Sequence, residues 1–155
     1  VPGEILEEER AFERFKGGCI VCTTTEAESN NERFVLENDH AMVICPFWSS
    51  SPYELLIMPK DHQQHLTDSS DAALTGVGLA VRDALRHLVA TLGDIAFNLV
   101  FHTAPSHHEG TYHWHAHLFP KLTTTAGFER GTGVMINIIA PEFAADALRS
   151  AAVNA

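Results

Sequence analysis

Residues 112–120 read YHWHAHLFP, with His113, His115 and His117 at alternate positions between apolar and aromatic neighbours. In a strand, successive side chains point to opposite faces. The three imidazoles then share one side while Tyr112, Trp114, Ala116 and Leu118 take the other. The residue types suit a pleated surface, and Pro120 closes the run. A neutral imidazole can bind a metal, attack phosphorus or hydrogen-bond phosphate oxygens, so the three need not share one task.

The rest of the chain supplies a sheet for this strand. RFVLEN and HAMVICPF, two apolar runs split by Asn38-Asp39, predict a β-hairpin. YELLIMP, residues 53–59, is apolar at successive positions, as a strand covered on both faces would be. AFNLVFHT, residues 96–103, is a further strand, and GTGVMINII a final strand or extended segment. Leu74, Val77, Val81, Leu85, Leu88 and Leu92 recur at helical spacing, after the cap-rich cluster Thr67-Asp68-Ser69-Ser70-Asp71 and before Gly93. EILEEERAFERF, residues 4–15, predicts a short amphipathic helix ended by Gly17-Gly18. The stretch TTTEAESNNE is expected as a polar loop. APEFAADALRSAA is expected as a C-terminal helix with Pro141 in its first turn. The sum is an α+β domain: an antiparallel sheet with one long helix and a C-terminal helix packed on it. It is expected as one domain over residues 1–155, with residues 1–18 a helical arm and 19–155 the sheet and helices.

A chain of 155 residues can stand on its own core. Its formal charge of −10 argues against general nucleic-acid binding, because no basic stripe exists to displace counterions from a phosphate backbone. No membrane span or signal peptide is read from the hydropathy, and the expectation is a cytoplasmic enzyme or binding protein. The Val-Pro-Gly start is read as that of a piece of a longer chain.

Cys19 and Cys22 form a CxxC directly after Gly17-Gly18, whereas Cys45 lies in an apolar run and reads as core. With no βαβ pattern beside it, the pair favours zinc over redox chemistry. Zinc wants four nitrogen or sulfur ligands, so two histidines must come from elsewhere. His62, His65, His107, His108 and the strand triplet are all open on spacing alone.

YHWHAHLFPK fits the alternating signature of the histidine-triad superfamily, and PYELLIMPKDH resembles that superfamily's strand leading into a PK-x-H turn. NERFVLENDHAMVICPFWSSSPYELLIMPKDHQQHL, NLVFHTAPS and AGFERGTGVMINIIAPEFAADALR resemble the C-terminal half of galactose-1-phosphate uridylyltransferases and, more strongly, of plant-type ADP-glucose phosphorylases. The resemblance runs over about residues 10 to 150 and implies a histidine-triad-like fold. It implies a structural zinc held by Cys19, Cys22, His62 and His113, with His115 as the nucleophile that forms a nucleotidyl-histidine. It gives His117 the phosphate oxygens and leaving group. Asn98, His102, Gly110 and Thr111 complete the substrate-binding set, with Lys60, Lys121 and Arg130 as possible helpers. In uridylyltransferases the residues matching His102, His115 and His117 help to hold a second metal, so two readings compete for them.

The chain departs from the pattern where Gly110 stands in place of the small hydroxyl residue that usually precedes the first triad histidine by three positions. Two functions follow from the resemblance. One is a nucleotidyltransferase or nucleotide hydrolase acting on a nucleotide sugar or dinucleoside polyphosphate. The other is a non-catalytic, zinc-stabilised C-terminal half serving substrate binding or dimerisation. A homodimer is expected by resemblance.

Overall fold

The computed structural model describes residues 6, 7, 10, 13, 14, 18–106, 108 and 111–152. The apolar runs form the strands expected of them. Phe34–Glu37 (β1) and Ala41–Ile44 (β2) make the hairpin, and Asn38 closes its turn by accepting from His40 N and Ala41 N at 2.8 and 2.9 Å. Leu55–Pro59 (β3) is buried at all five positions, as a strand packed on both faces must be. Phe97–His102 (β4) and His115–Pro120 (β5) complete a five-stranded sheet in the order β1-β2-β3-β5-β4, with every neighbouring pair antiparallel.

Alternation divides the sheet residues between two layers. Val35, Ala41, Val43, Leu55, Ile57, Trp114, Ala116 and Leu118 meet the long helix Asp71–Leu92 and the C-terminal helix Pro141–Ala152. Met42, Ile44, Leu56 and Met58 face the other way, against Val21 of a helix over Ile20–Glu28. In chain order the helices are α1 (Ile20–Glu28), α2 (Asp71–Leu92), α3 (Gly127–Thr132) and α4 (Pro141–Ala152).

The long helix keeps its expected ends. Ser70 Oγ accepts from Ala73 N at 3.2 Å, and Gly93 takes a φ of 77° to end the helix. Its deepest residues differ from the leucine stripe: Ala73, Gly76, Val77, Ala80, Ala84 and Leu88 are buried, while Leu74, Val81, Leu85 and Leu92 flank them. Small side chains at the centre let the helix seat close to the hairpin. A Cβ built on Gly76 would stand 2.5 Å from His40 Cβ, and Asn38 Nδ2 donates to Gly76 O at 2.8 Å.

Two expectations are corrected. TTTEAESNNE is not a loop over its first half, because α1 runs to Glu28. Thr23 and Thr25 return their hydroxyls to the carbonyls of Cys19 and Val21, and Thr25 also reaches Met58 Sδ at 3.7 Å, so the polar run packs as a helix. GTGVMINII forms no strand: Gly131 and Thr132 end α3, and residues 133–138 have no regular structure. Asn137 Nδ2 instead anchors that segment by donating to Ser49 O and Ser51 O at 3.3 and 3.2 Å. Of the arm at residues 4–15, Leu6, Glu7, Arg10, Glu13 and Arg14 are helical and the others lie outside the described residues. Among the described residues no helix is long and apolar enough to cross a membrane.

The close seat of α2 predicts opposite responses at two glycines of one helix. Gly76→Ala forces backbone or His40 to move and should destabilise by about 1–3 kcal/mol. Gly78→Ala meets nothing within 4 Å and should stabilise by up to about 1 kcal/mol. Urea midpoints of the two variants check both signs.

Candidate functional site

The approach to β5 gathers two groups of side chains on the sheet face turned away from α2. Regular pairing begins only at His115; Trp114 N, just before it, donates to Gln63 O at 2.9 Å. The strict alternation expected from Tyr112 onward therefore holds from Trp114 but not for Tyr112. The Tyr112 ring stacks on His115 with centroids 6.1 Å apart and 21° between planes.

The first group is Cys19, Cys22, His62 and His113, with one ligand atom from each within 4.8 Å of the others. Cys19 caps α1 and Cys22 lies in its first turn, so the CxxC spacing places both thiols on one helix face. His62 follows β3, and His113 is fully buried before β5. His113 Nδ1 stands 3.6 Å from Cys19 Sγ and 3.4 Å from Cys22 Sγ, and His62 Nδ1 is 3.5 Å from Cys22 Sγ. Ligands about 2.3 Å (sulfur) and 2.0 Å (nitrogen) from a tetrahedral zinc stand about 3.6 Å apart, so donor set and spacing both fit that ion. Burial, then the neighbouring Cys19 thiol and Glu26, push the Cys22 thiol up to about 12. A thiolate there needs a cation beside it. Of the other histidines left open by spacing, His65 is engaged elsewhere, donating from Nδ1 to Ala104 O at 3.0 Å.

The second group is His102, His115 and His117, again within 4.8 Å through one nitrogen each. Strand register makes it: His102 pairs with His115 and Val100 with His117, so β4 and β5 present the three rings together. Ring centroids stand 5.1 Å apart for His102 and His115, 5.0 Å for His102 and His117 and 5.3 Å for His115 and His117. His115 Nδ1 is 2.9 Å from His113 O. A carbonyl can only accept, so Nδ1 carries the proton and Nε2 of neutral His115 carries the lone pair.

Glu54 was not foreseen, although it is the one charged residue in the apolar run YELLIMP. It is 3% exposed, and its Oε1 lies 3.2 Å from His117 Nδ1. Oε2 accepts from Ser50 N, Ser50 Oγ and Ser51 N at 2.7, 2.9 and 3.3 Å. Burial raises its pKa, but the bonds from His117 and Ser50 outweigh that and hold the carboxyl below its ordinary value.

The remaining expected residues are dispersed. Asn98 is exposed on β4, opposite Phe119 and four residues from His102, about 13 Å along a strand. Thr111 is half-buried before Tyr112, and Gly110 and His107 lie outside the described residues. Lys60 is paired with Glu37 at 2.7 Å, and Lys121 and Arg130 are exposed.

Residues 10–149 match the family model described as the C-terminal domain of galactose-1-phosphate uridyl transferase. Among curated relatives, the ADP-glucose phosphorylase of Arabidopsis thaliana is 31% identical over 143 residues, covering 89% of this chain and 39% of its own length. The galactose-1-phosphate uridylyltransferase of Haemophilus influenzae is 29% identical over 134 residues, covering 81% and 38%. The chain thus spans about two fifths of the length of these relatives. A crystal structure of the Arabidopsis thaliana ADP-glucose phosphorylase with bound ADP-glucose superposes with a TM-score of 0.81 at 31% identity, over 92% of this chain and 46% of that one. A zinc-bound histidine triad family protein from Mycobacterium smegmatis shares the fold, with a TM-score of 0.65 at 16% identity, over 88% of this chain and 94% of that one.

Burial, reinforced by His62 and His115, holds His113 down at about 4 against an ordinary value of 6.5. Between those values the unfolded chain binds a proton that the folded chain refuses. In metal-free protein the contribution is therefore complete above about pH 6.5 and is lost as the pH falls toward about 4. The expected loss is on the order of 3 kcal/mol. Urea midpoints at about pH 7 and about pH 4.5 check it, and in His113→Asn this part of the pH dependence should vanish.

Proposed function

The chain belongs to the family of the galactose-1-phosphate uridyl transferase C-terminal domain, within the histidine-triad superfamily, and on that premise we propose that it carries out nucleotidyl transfer through His115. The proposed substrate is a nucleotide sugar or a dinucleoside polyphosphate. Nε2 of His115 attacks the α-phosphorus, forming a P–N bond as the bond from phosphorus to the leaving oxygen breaks. A second acceptor, water, phosphate or a sugar 1-phosphate, then attacks phosphorus and breaks the P–N bond. The observation that carries this reading is the hydrogen bond from His115 Nδ1 to His113 O, which leaves Nε2 with its lone pair.

His117 is assigned to the phosphate oxygens and leaving group, with His102, Asn98, Thr111 and Gly110 on the substrate side. Cys19, Cys22, His62 and His113 would hold a structural zinc, which ties α1 and the turn after β3 to the entrance of β5. The expected assembly is a homodimer in the cytoplasm, with residues 1–155 as one domain.

Incubation with nucleotide sugars and dinucleoside polyphosphates labelled at the α-phosphate should yield a nucleotidyl adduct on wild-type protein. His115→Ala should give none, with turnover down about a thousandfold or more. Equal labelling of His115→Ala would sink the assignment. A second reading, favoured by the proximity of His102, His115 and His117, makes them a metal site in a half that serves substrate binding or dimerisation. Metal analysis separates the two. One zinc per chain, lost in Cys22→Ser, fits the nucleotidyl-transfer reading. A second equivalent, kept in Cys22→Ser and lost in His102→Ala, fits the other.

A further inference from the structure

The buried Glu54 belongs to none of the roles so far assigned, and its surroundings are unusually specific for a carboxylate at the head of an apolar strand. It immediately precedes β3, two residues before Leu56, and Leu56 is the register partner of His117. That places Glu54 on the sheet face of the histidines. The turn before it, Ser49–Tyr53, aims it there: Tyr53 holds a φ of 58°, a left-handed conformation that a bulky residue adopts only when its surroundings impose it. Asn137 Nδ2 secures the same turn through Ser49 O and Ser51 O.

The hydrogen bonds fix the direction of donation. Oε2 already accepts from two backbone amides and one hydroxyl, so no proton rides on it. Oε1 meets His117 Nδ1 at 3.2 Å, and the proton in that contact belongs to the imidazole. The ring is also stacked on Phe119, with centroids 5.4 Å apart and 5° between planes, so plane and flip state are both set.

We infer that Glu54 is a positioning residue for His117: it holds the Nδ1 proton and the ring orientation, and so reserves Nε2 for the ligand at the His102–His115–His117 cluster. This rests on the reading of His117 as a ligand-facing residue. Histidines that work on a ligand through one nitrogen are commonly oriented by a carboxylate or carbonyl on the other, and loss of that partner costs about tenfold to a hundredfold in affinity or activity. His115 has a carbonyl in that place and His117 has a carboxylate, so adjacent functional rings are oriented by different acceptors.

Glu54→Gln tests the direction of donation. With the turn amides of Ser50 and Ser51 facing one end of the side chain, the glutamine oxygen must stay there and its NH2 must face His117. A donor facing Nδ1 forces the neutral ring to move its proton to Nε2.

Nitrogen-15 NMR of histidine-labelled protein, followed through a pH titration, reads this directly. In wild type, the neutral form of His117 should carry its proton on Nδ1, with Nε2 bare. In Glu54→Gln, the neutral form should carry its proton on Nε2, and turnover should fall about tenfold to a hundredfold. A wild-type His117 whose neutral form has bare Nδ1 would overturn the inference, and so would an unchanged tautomer in a folded Glu54→Gln. The wild-type spectrum decides the matter even if the variant does not fold. It is also independent of turnover: a protein that never takes up nucleotidyl label refutes the transfer reading, and the spectrum still judges Glu54.

Discussion

The register between β3 and β5 is the constraint on which the rest of the molecule depends. Leu55 faces Leu118, Leu56 faces His117 and Ile57 faces Ala116. A slip of one residue would turn every side chain of β5 to the opposite layer. His115 and His117 would then be driven under α2, and Trp114, Ala116 and Leu118 would lose the helix layer. The register is held from both sides. Trp114, Ala116 and Leu118 are buried in the same core cluster as Ala80, Ala84 and Leu88, and Trp114 Nε1 donates to Ser69 Oγ at 2.9 Å. Burying three side chains of this size is worth several kcal/mol, which leaves the polar side of the strand free to be chosen for chemistry.

Much of this was legible because it is periodic. A strand covered on both faces, a hairpin split by Asn-Asp and a helix bounded by Ser70 and Gly93 each announce themselves through spacing and end residues. The meeting of β4 and β5 at His102 and His115 could be anticipated only by resemblance, since no local pattern reports which strands are neighbours. What escaped depends on partners distant in sequence. The polar helix α1 is stable because Val21 and Thr25 lie on Met42, Met58 and their neighbours. The short helix α3 carries two glycines and is closed by a bond from Ala126 N to Glu129 Oε2 at 3.0 Å and by Gly133 at a φ of 73°. Glu54 looked like an interruption in an apolar strand, and its role emerges only beside His117 and the serine turn.

The electrostatics of the site are local. A chain with net charge −10 offers no general attraction to an anion, and one of its carboxylates, Glu54, is buried beside the histidines. Glu54 is, however, screened from the cluster by the His117 ring, and its second oxygen is occupied by amides and a hydroxyl. Its charge is therefore spent on the protein's own donors, while the face turned to a ligand presents imidazole nitrogens. The arrangement separates two needs that conflict for any phosphate site on an acidic protein: orientation by an anion, and tolerance of an anionic ligand.

The peptide of His113 belongs to both clusters, since its imidazole stands beside the two thiols while its carbonyl receives the His115 proton. Thermodynamic reciprocity attaches to such sharing. If occupancy of the cysteine cluster alters ligand affinity at His115 by some factor, a ligand at His115 alters ion affinity by that same factor. One amide group is thus a mechanical linkage between two equilibria, and the size of their coupling measures how far that single carbonyl is free to turn.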